Sequence, residues 1–247
     1  MIIDAHATVG FSLDDNRDMS AEFVLSLMDR VGIDKACITH TQCRFQDFVE
    51  GNSTTARVVR EHPDRFIGFF GVNPARYLGV LDEVDRCLDE LDLAALRIFN
   101  NEASFTSGWA AGVRGLMHER LFAKAMARKI PVYLDSGFPF SVVLSLARTY
   151  PRIKLIAAGV GYGNIAEAII AVNGAPNLWL DIIALDIQDG VELLVKECGA
   201  EKLVFGSGMP LASPSSPLLM VKMADISQED KDKILGGNLA GILGAGR

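Results

Sequence analysis

The feature that most constrains this 247-residue chain is a regular recurrence of short apolar runs. Eight of them appear: Met1–Thr8, Lys35–Thr41, Arg65–Asn73, Leu93–Asn100, Ile130–Ser136, Ile153–Gly159, Asn177–Ala184 and Lys202–Ser207. Each is followed by a longer segment of helical character, so one strand-plus-helix unit takes roughly 31 residues. The runs are near-continuous in Val, Ile, Leu and Phe, as in Phe66-Ile67-Gly68-Phe69-Phe70. A strand of that kind needs apolar cover on both faces, which is what a parallel sheet flanked by helices provides. Helical spacing is clearest from Ser20, a serine N-cap, to Gly32, and from Leu78 to Leu91, with Leu81, Val84, Leu88 and Leu91 on one stripe. Further helices are expected over Leu116–Arg128, Phe140–Thr149, Ile165–Val172, Ile187–Cys198 and Leu218–Ala224. A closing pair at Gln228–Leu235 and Leu239–Leu243 is expected to seal the bottom of the fold. No Gly/Ser linker or shift in composition divides the chain. The expectation is therefore an α/β fold, a single (β/α)8 TIM barrel formed by one domain over residues 1–247.

Composition narrows the partners. With 24 Lys+Arg against 31 Asp+Glu, the net charge is -7. Neutralising a phosphate backbone requires a basic face, so no nucleic-acid partner is expected. One uncharged stretch, Leu203 to Val221, is long enough to span a bilayer, but Pro210, Pro214 and Pro217 interrupt it. No membrane partner is expected. The start, Met1-Ile2-Ile3-Asp4, lacks a basic segment and apolar run, and the four cysteines Cys37, Cys43, Cys87 and Cys198 show no C-x-x-C spacing. These features suggest a cytoplasmic protein with reduced thiols. The segment Gly159-Val160-Gly161-Tyr162-Gly163 lacks phosphate-loop spacing and reads as a tight turn.

In a barrel, chemistry gathers at the C-terminal ends of the strands, and alternate residues point inward. Asp4, His6 and Thr8 share one face of the first run, and Tyr133 and Asp135 one face of the fifth. Arg97 and Phe99 lie together on the fourth, Asp181 and Ile183 on the seventh, and His40 and Asn73 end the second and third. An isolated arginine in an apolar strand must meet a carboxylate or an anionic ligand, because leaving it unpaired is costly. Asp4 reads as a structural group that orients His6. Asp135 is either a mouth carboxylate or, with Ser136, the N-cap of the next helix. His62 and His118 read as surface residues. Phe105 and Trp109 could cover the mouth as an apolar lid.

The ordered motifs resemble the amidohydrolase superfamily, in particular its small single-domain branch of metal-dependent hydrolases and decarboxylases. Met1-Ile2-Ile3-Asp4-Ala5-His6 resembles that family's opening Asp-x-His-x-His. His62-Pro63-Asp64-Arg65-Phe66 through Gly71-Val72-Asn73-Pro74 is similar to its third strand. Ile130–Gly137, Tyr150–Leu155, Leu203–Pro210 and the closing Ile234-Leu235-Gly236-Gly237-Asn238 follow in its order. The resemblance implies a metal held by two histidines of the first strand, one each of the fifth and sixth, and an aspartate of the eighth. Here those positions carry His6, Thr8, Asp135, Gly159 and Gly208. Zinc takes three protein donors plus an open position, so His6 and Asp135 would need Asp181 or His40 as a third.

The expectation is accordingly a divergent amidohydrolase-like hydrolase without a tightly bound metal or other cofactor. Its substrate would be a small organic acid, ester or lactone, with decarboxylation as a related chemistry. His6, Asp135 and Asp181 are its candidate catalytic residues. Arg97, Thr8, His40 and Asn73 are its candidate substrate-binding residues, suited to an anionic ligand. A homo-oligomer is expected by analogy. The alternatives are a catalytically inactive barrel that binds a small molecule or a protein partner, and a metal site rebuilt from His6, Asp135 and Asp181.

Overall fold

The computed structural model describes residues 1–12, 16–45, 47–73, 79–99 and 116–244. All eight apolar runs form strands, and these lie parallel in one curled sheet. They are β1 (Ile3–Phe11), β3 (Lys35–His40), β4 (Phe66–Gly71), β5 (Ala95–Ile98), β6 (Val132–Leu134), β7 (Leu155–Ala157), β8 (Leu178–Asp181) and β9 (Leu203–Val204). A two-residue strand that the apolar pattern does not reveal, β2 (Asp18–Met19), pairs antiparallel with the end of β1. Neighbours in the sheet follow chain order from β1 through β3 to β9. The sheet then closes on itself: Ala5 N donates to Phe205 O at 2.8 Å, Thr8 N to Met209 O at 3.0 Å and Gly208 N to His6 O at 2.8 Å. This closure brings the first and last strands together, placing residues about 200 positions apart in one wall.

Two apolar layers result. Outside, the helices pack on the sheet through residues such as Val24, Met28, Val84, Leu121, Val143 and Val172. Inside, Ile3, Ala5, Cys37, Phe69, Ala95, Tyr133, Ile156 and Val204 fill the barrel, with Leu239 and Ile242 from the C-terminal helix Asn238–Leu243 beneath them. The expected closure of the bottom is thus formed by that helix. A further helix, Phe48–Glu61, capped by the Asp47 carboxylate, covers β4.

Parity along β1 is broken. Ile3 and Ala5 belong to the interior layer but Ala7 and Val9 to the outer one, and the register with β3 shifts between Asp4 and Ala7. A shift of one residue exchanges the faces of a strand. Asp4 therefore does not share the face of His6 and Thr8, contrary to strict alternation. The turn after β7 is closed by Asn164, whose side chain receives Gly161 N and donates to Gly159 O, both at 2.9 Å. That segment is a tight turn, as its glycines suggest. His118 is buried, not exposed, on the inner side of helix Leu116–Arg128. Cys37, Cys43 and Cys87 are buried, and all four cysteines are free thiols. No helix among the described residues is long and apolar enough to cross a membrane.

Candidate active site

The strand ends bring five side chains into one hydrogen-bonded chain. Arg97, near the end of β5, donates from Nε to Asp135 Oδ1 at 3.0 Å, and its Nη2 lies 2.9 Å from the same oxygen. The same Nη2 donates to His6 Nε2. Nη1 donates to Ala7 O at 3.2 Å and to Thr8 Oγ1 at 3.4 Å. On the far side of the imidazole, His6 Nδ1 meets Tyr133 Oη at 2.7 Å, and the Tyr133 hydroxyl donates to Asp181 Oδ2 at 2.6 Å. Ile183 N donates to the second oxygen, Asp181 Oδ1, at 2.8 Å.

Donor arithmetic fixes the protons. A guanidinium only donates, so His6 Nε2 accepts and the neutral ring carries its hydrogen on Nδ1. That hydrogen goes to Tyr133 Oη, whose own hydrogen goes to Asp181. Burial pushes the His6 pKa well below its ordinary value, and the neighbouring Arg97 charge pushes the same way. Burial likewise raises Asp181 to about 7, against the pull of the Tyr133 hydroxyl, the Ile183 amide and Arg97. Burial raises the Tyr133 hydroxyl well above its usual range, reinforced by Asp181 and Asp135.

Arg97 is 4% exposed, and its guanidinium lies 4.8 Å from the centre of the Phe99 ring and 5.7 Å from that of Tyr133. Rings on its faces and acceptors around its edge hold the group rigidly. The sequence requirement that Arg97 find a carboxylate is met by Asp135. That carboxylate does not cap the following helix, whose N-cap is Pro139. At 13% exposed it is the most accessible acid of the set, and its Oδ2 carries no hydrogen bond among the described residues.

Asp4 has a different task from the one its spacing suggests. Its Oδ1 accepts from His6 N at 2.9 Å and Ser207 N at 2.8 Å, and its Oδ2 accepts from Ser207 Oγ. It ties β1 to the segment that follows β9 and fixes the His6 backbone, while Tyr133 orients the ring. Burial raises Asp4 to about 6, offset in part by its bonds to Ser207 and His6. His40 lies apart from the chain, with its ring centre 6.0 Å from that of Phe11 and its Nδ1 receiving Gln42 N at 3.3 Å. Asn73 is half-buried beyond the end of β4. Phe105 and Trp109 lie outside the described residues. Sequence reasoning missed Tyr133 as a site residue, although its parity with Asp135 was the available signal. It also missed Thr39, which faces Thr8 across the β1–β3 register and is buried with a hydroxyl that has no partner among the described residues.

A parallel barrel with polar groups at the C-terminal ends of its strands defines a class of enzyme scaffolds, with chemistry at the mouth and packing below. The family profile described as amidohydrolase matches residues 3–244, so the chain belongs to the amidohydrolase family. No curated protein sequence matches the chain. Among solved structures, it is similar to 5-carboxyvanillate decarboxylase from Sphingomonas paucimobilis, with 16% identity over 98% of both chains and a TM-score of 0.75. The same enzyme from Novosphingobium aromaticivorans, with bound manganese, has 13% identity over 98% of this chain and 97% of that one, at a TM-score of 0.79. A third is 4-oxalomesaconate hydratase from Rhodopseudomonas palustris, with 17% identity over 98% and 95% of the chains and a TM-score of 0.71.

One of these structures holds manganese, and the described side chains at the strand ends of this chain do not form a donor set for such an ion. Gly159 has φ +95°, and a Cβ there would lie 3.0 Å from the Ser136 backbone. Gly208 has φ +73°, and a Cβ would meet Ile183 at 2.9 Å. Both backbones favour glycine, and neither offers a side-chain donor. Asp181 is committed to Tyr133 and Ile183, and His6 Nε2 already faces a cation. Among the described residues no group of three or more His, Cys, Asp or Glu side chains is arranged to hold an ion.

Proposed function

We propose that this amidohydrolase-family protein is a hydrolase of a small organic acid, ester or lactone that works by acid–base chemistry without a tightly bound metal. The observation that carries this reading is Asp135, the most exposed acid of the hydrogen-bonded polar chain, whose Oδ2 carries no hydrogen bond among the described residues. In this reading Asp135 takes a proton from water as its oxygen adds to the substrate carbonyl, then returns that proton to the departing alcohol or ring oxygen.

Arg97 supplies positive charge beside the developing oxyanion. Its N–H groups donate to Asp135, Ala7, Thr8 and His6, so it serves as a fixed charge whose field acts across the mouth. His6, Tyr133 and Asp181 hold that charge in place, and Asp181 near 7 is a proton reservoir two hydrogen bonds from the imidazole. Thr8, His40 and Asn73 are the proposed contacts of an anionic substrate at the strand ends. The active-site reading is favoured over an inert binding barrel because five ionisable or polar groups are joined at the end of the barrel where chemistry is done. The expected assembly is a homo-oligomer.

The test is a panel of small carboxylic esters and lactones with the chelator-treated protein and with Asp135→Asn. Hydrolysis by the treated protein, lost in a variant of unchanged circular dichroism, supports the proposal. Equal turnover in the variant would falsify the role of Asp135.

A further inference from the structure

Arg97 occupies a place that has consequences whether or not the protein turns over a substrate. His6 Nε2 and Asp135 Oδ1 are 3.8 Å apart, a separation that one ion with bonds of about 2 Å to each could bridge. The Arg97 Nη2 nitrogen lies against both atoms. Its guanidinium is fixed from the other directions by Ala7 O, Thr8 Oγ1 and the Phe99 ring.

We infer that the Arg97 guanidinium is the resident cation of this barrel mouth, holding the two donors that a divalent ion would have to use. An arginine stays charged throughout the physiological range, so the charge here is covalently attached and independent of metal supply. A divalent ion could reach His6 Nε2 only by evicting Arg97. Eviction would strip the guanidinium of its acceptors, and an ion sharing the pocket with it would face like-charge repulsion in a buried setting. The arrangement is self-consistent from end to end, since Arg97 fixes the His6 tautomer, His6 then donates to Tyr133, and Tyr133 donates to Asp181.

The test is cobalt(II) titration of the chelator-treated full chain, followed by visible absorption, calorimetry and the imidazole 15N shifts of His6. The intact protein is expected to show no saturable one-to-one uptake and no movement of the His6 Nε2 resonance at millimolar cobalt. Arg97→Met keeps the apolar stem but removes the charge, and is expected to bind cobalt at least about tenfold more tightly. Adding His6→Ala to that variant should abolish the gain. Arg97→Lys, which retains a cation, should stay closer to the intact protein. Stoichiometric cobalt on His6 of the intact protein would overturn the inference. So would a folded Arg97→Met with no gain; if that variant does not fold, Arg97→Gln replaces it. None of these readouts is turnover, so failure here is distinguishable from failure of the proposed hydrolysis.

Discussion

The two ends of the barrel are made from the same strands and do opposite things. At the base, Ile3, Cys37, Phe69, Ala95, Ile156 and Val204 meet Leu239 and Ile242 in a wholly apolar plug. Two residues further along, Ala95 gives way to Arg97, Tyr133 to Asp135 and Trp179 to Asp181. Period-two alternation keeps these side chains in the same interior, so the change in chemistry reflects depth, not face. The base contributes burial; the mouth holds buried charges that cost desolvation and are tolerated because each finds a partner. On the proposed function, stability and reactivity are thereby separated along one axis.

Substitutions at the two ends should separate the two properties. At the mouth, Asp135→Asn is expected to lower turnover by about 10²–10⁴-fold, the usual range for removing an acid–base group. Its melting temperature should change little, because the amide can still accept from Arg97. At the base, Phe69→Ala should do the reverse, costing about 3–5 kcal/mol in urea unfolding while turnover per folded molecule holds. A Phe69→Ala protein that unfolds normally but loses turnover would break the separation. Tyr133 sits at the boundary between the ends, and Tyr133→Phe should move both properties. It leaves the His6 Nδ1 hydrogen and an Asp181 oxygen unpaired, at about 1–3 kcal/mol. A double-mutant cycle with Asp181→Asn should be non-additive.

The smallest expected effect is in pH dependence. Asp181 and Asp4 titrate near 7 and 6 in the fold and near 3.8 when unfolded. Between those values the folded state binds more protons than the unfolded one, so these groups make stability fall as pH rises from about 4 to 7. Asp181→Asn should flatten that part of the stability curve. An unchanged slope in denaturant midpoints across this range would place the buried charge elsewhere.

Much of this architecture is readable from residue types. The eight apolar runs become the eight parallel strands because two-sided burial removes polar alternation from each of them. The inward parity of Arg97, Asp135 and Asp181 follows from the same pattern, as does the need for Arg97 to find an acid. What the pattern conceals has local causes. The irregularity between Asp4 and Ala7 turns Asp4 toward Ser207, a partner 203 residues away. Tyr133 reads as core because its ring is core, and only the partners of its hydroxyl, 127 and 48 residues distant, disclose its second role. The short pairing of β2 depends on two residues, too few to leave a hydrophobic signature. Gly159 and Gly208 read as missing ligands, whereas their positive φ angles show positions where the backbone itself favours glycine.

The most direct measurement is a crystal structure of the chain grown in excess manganese, with anomalous data. A guanidinium of Arg97 resting on both the imidazole and the Asp135 carboxylate, with no anomalous peak beside them, is the predicted outcome. A peak within bonding distance of His6 Nε2, with Arg97 swung away, would contradict it.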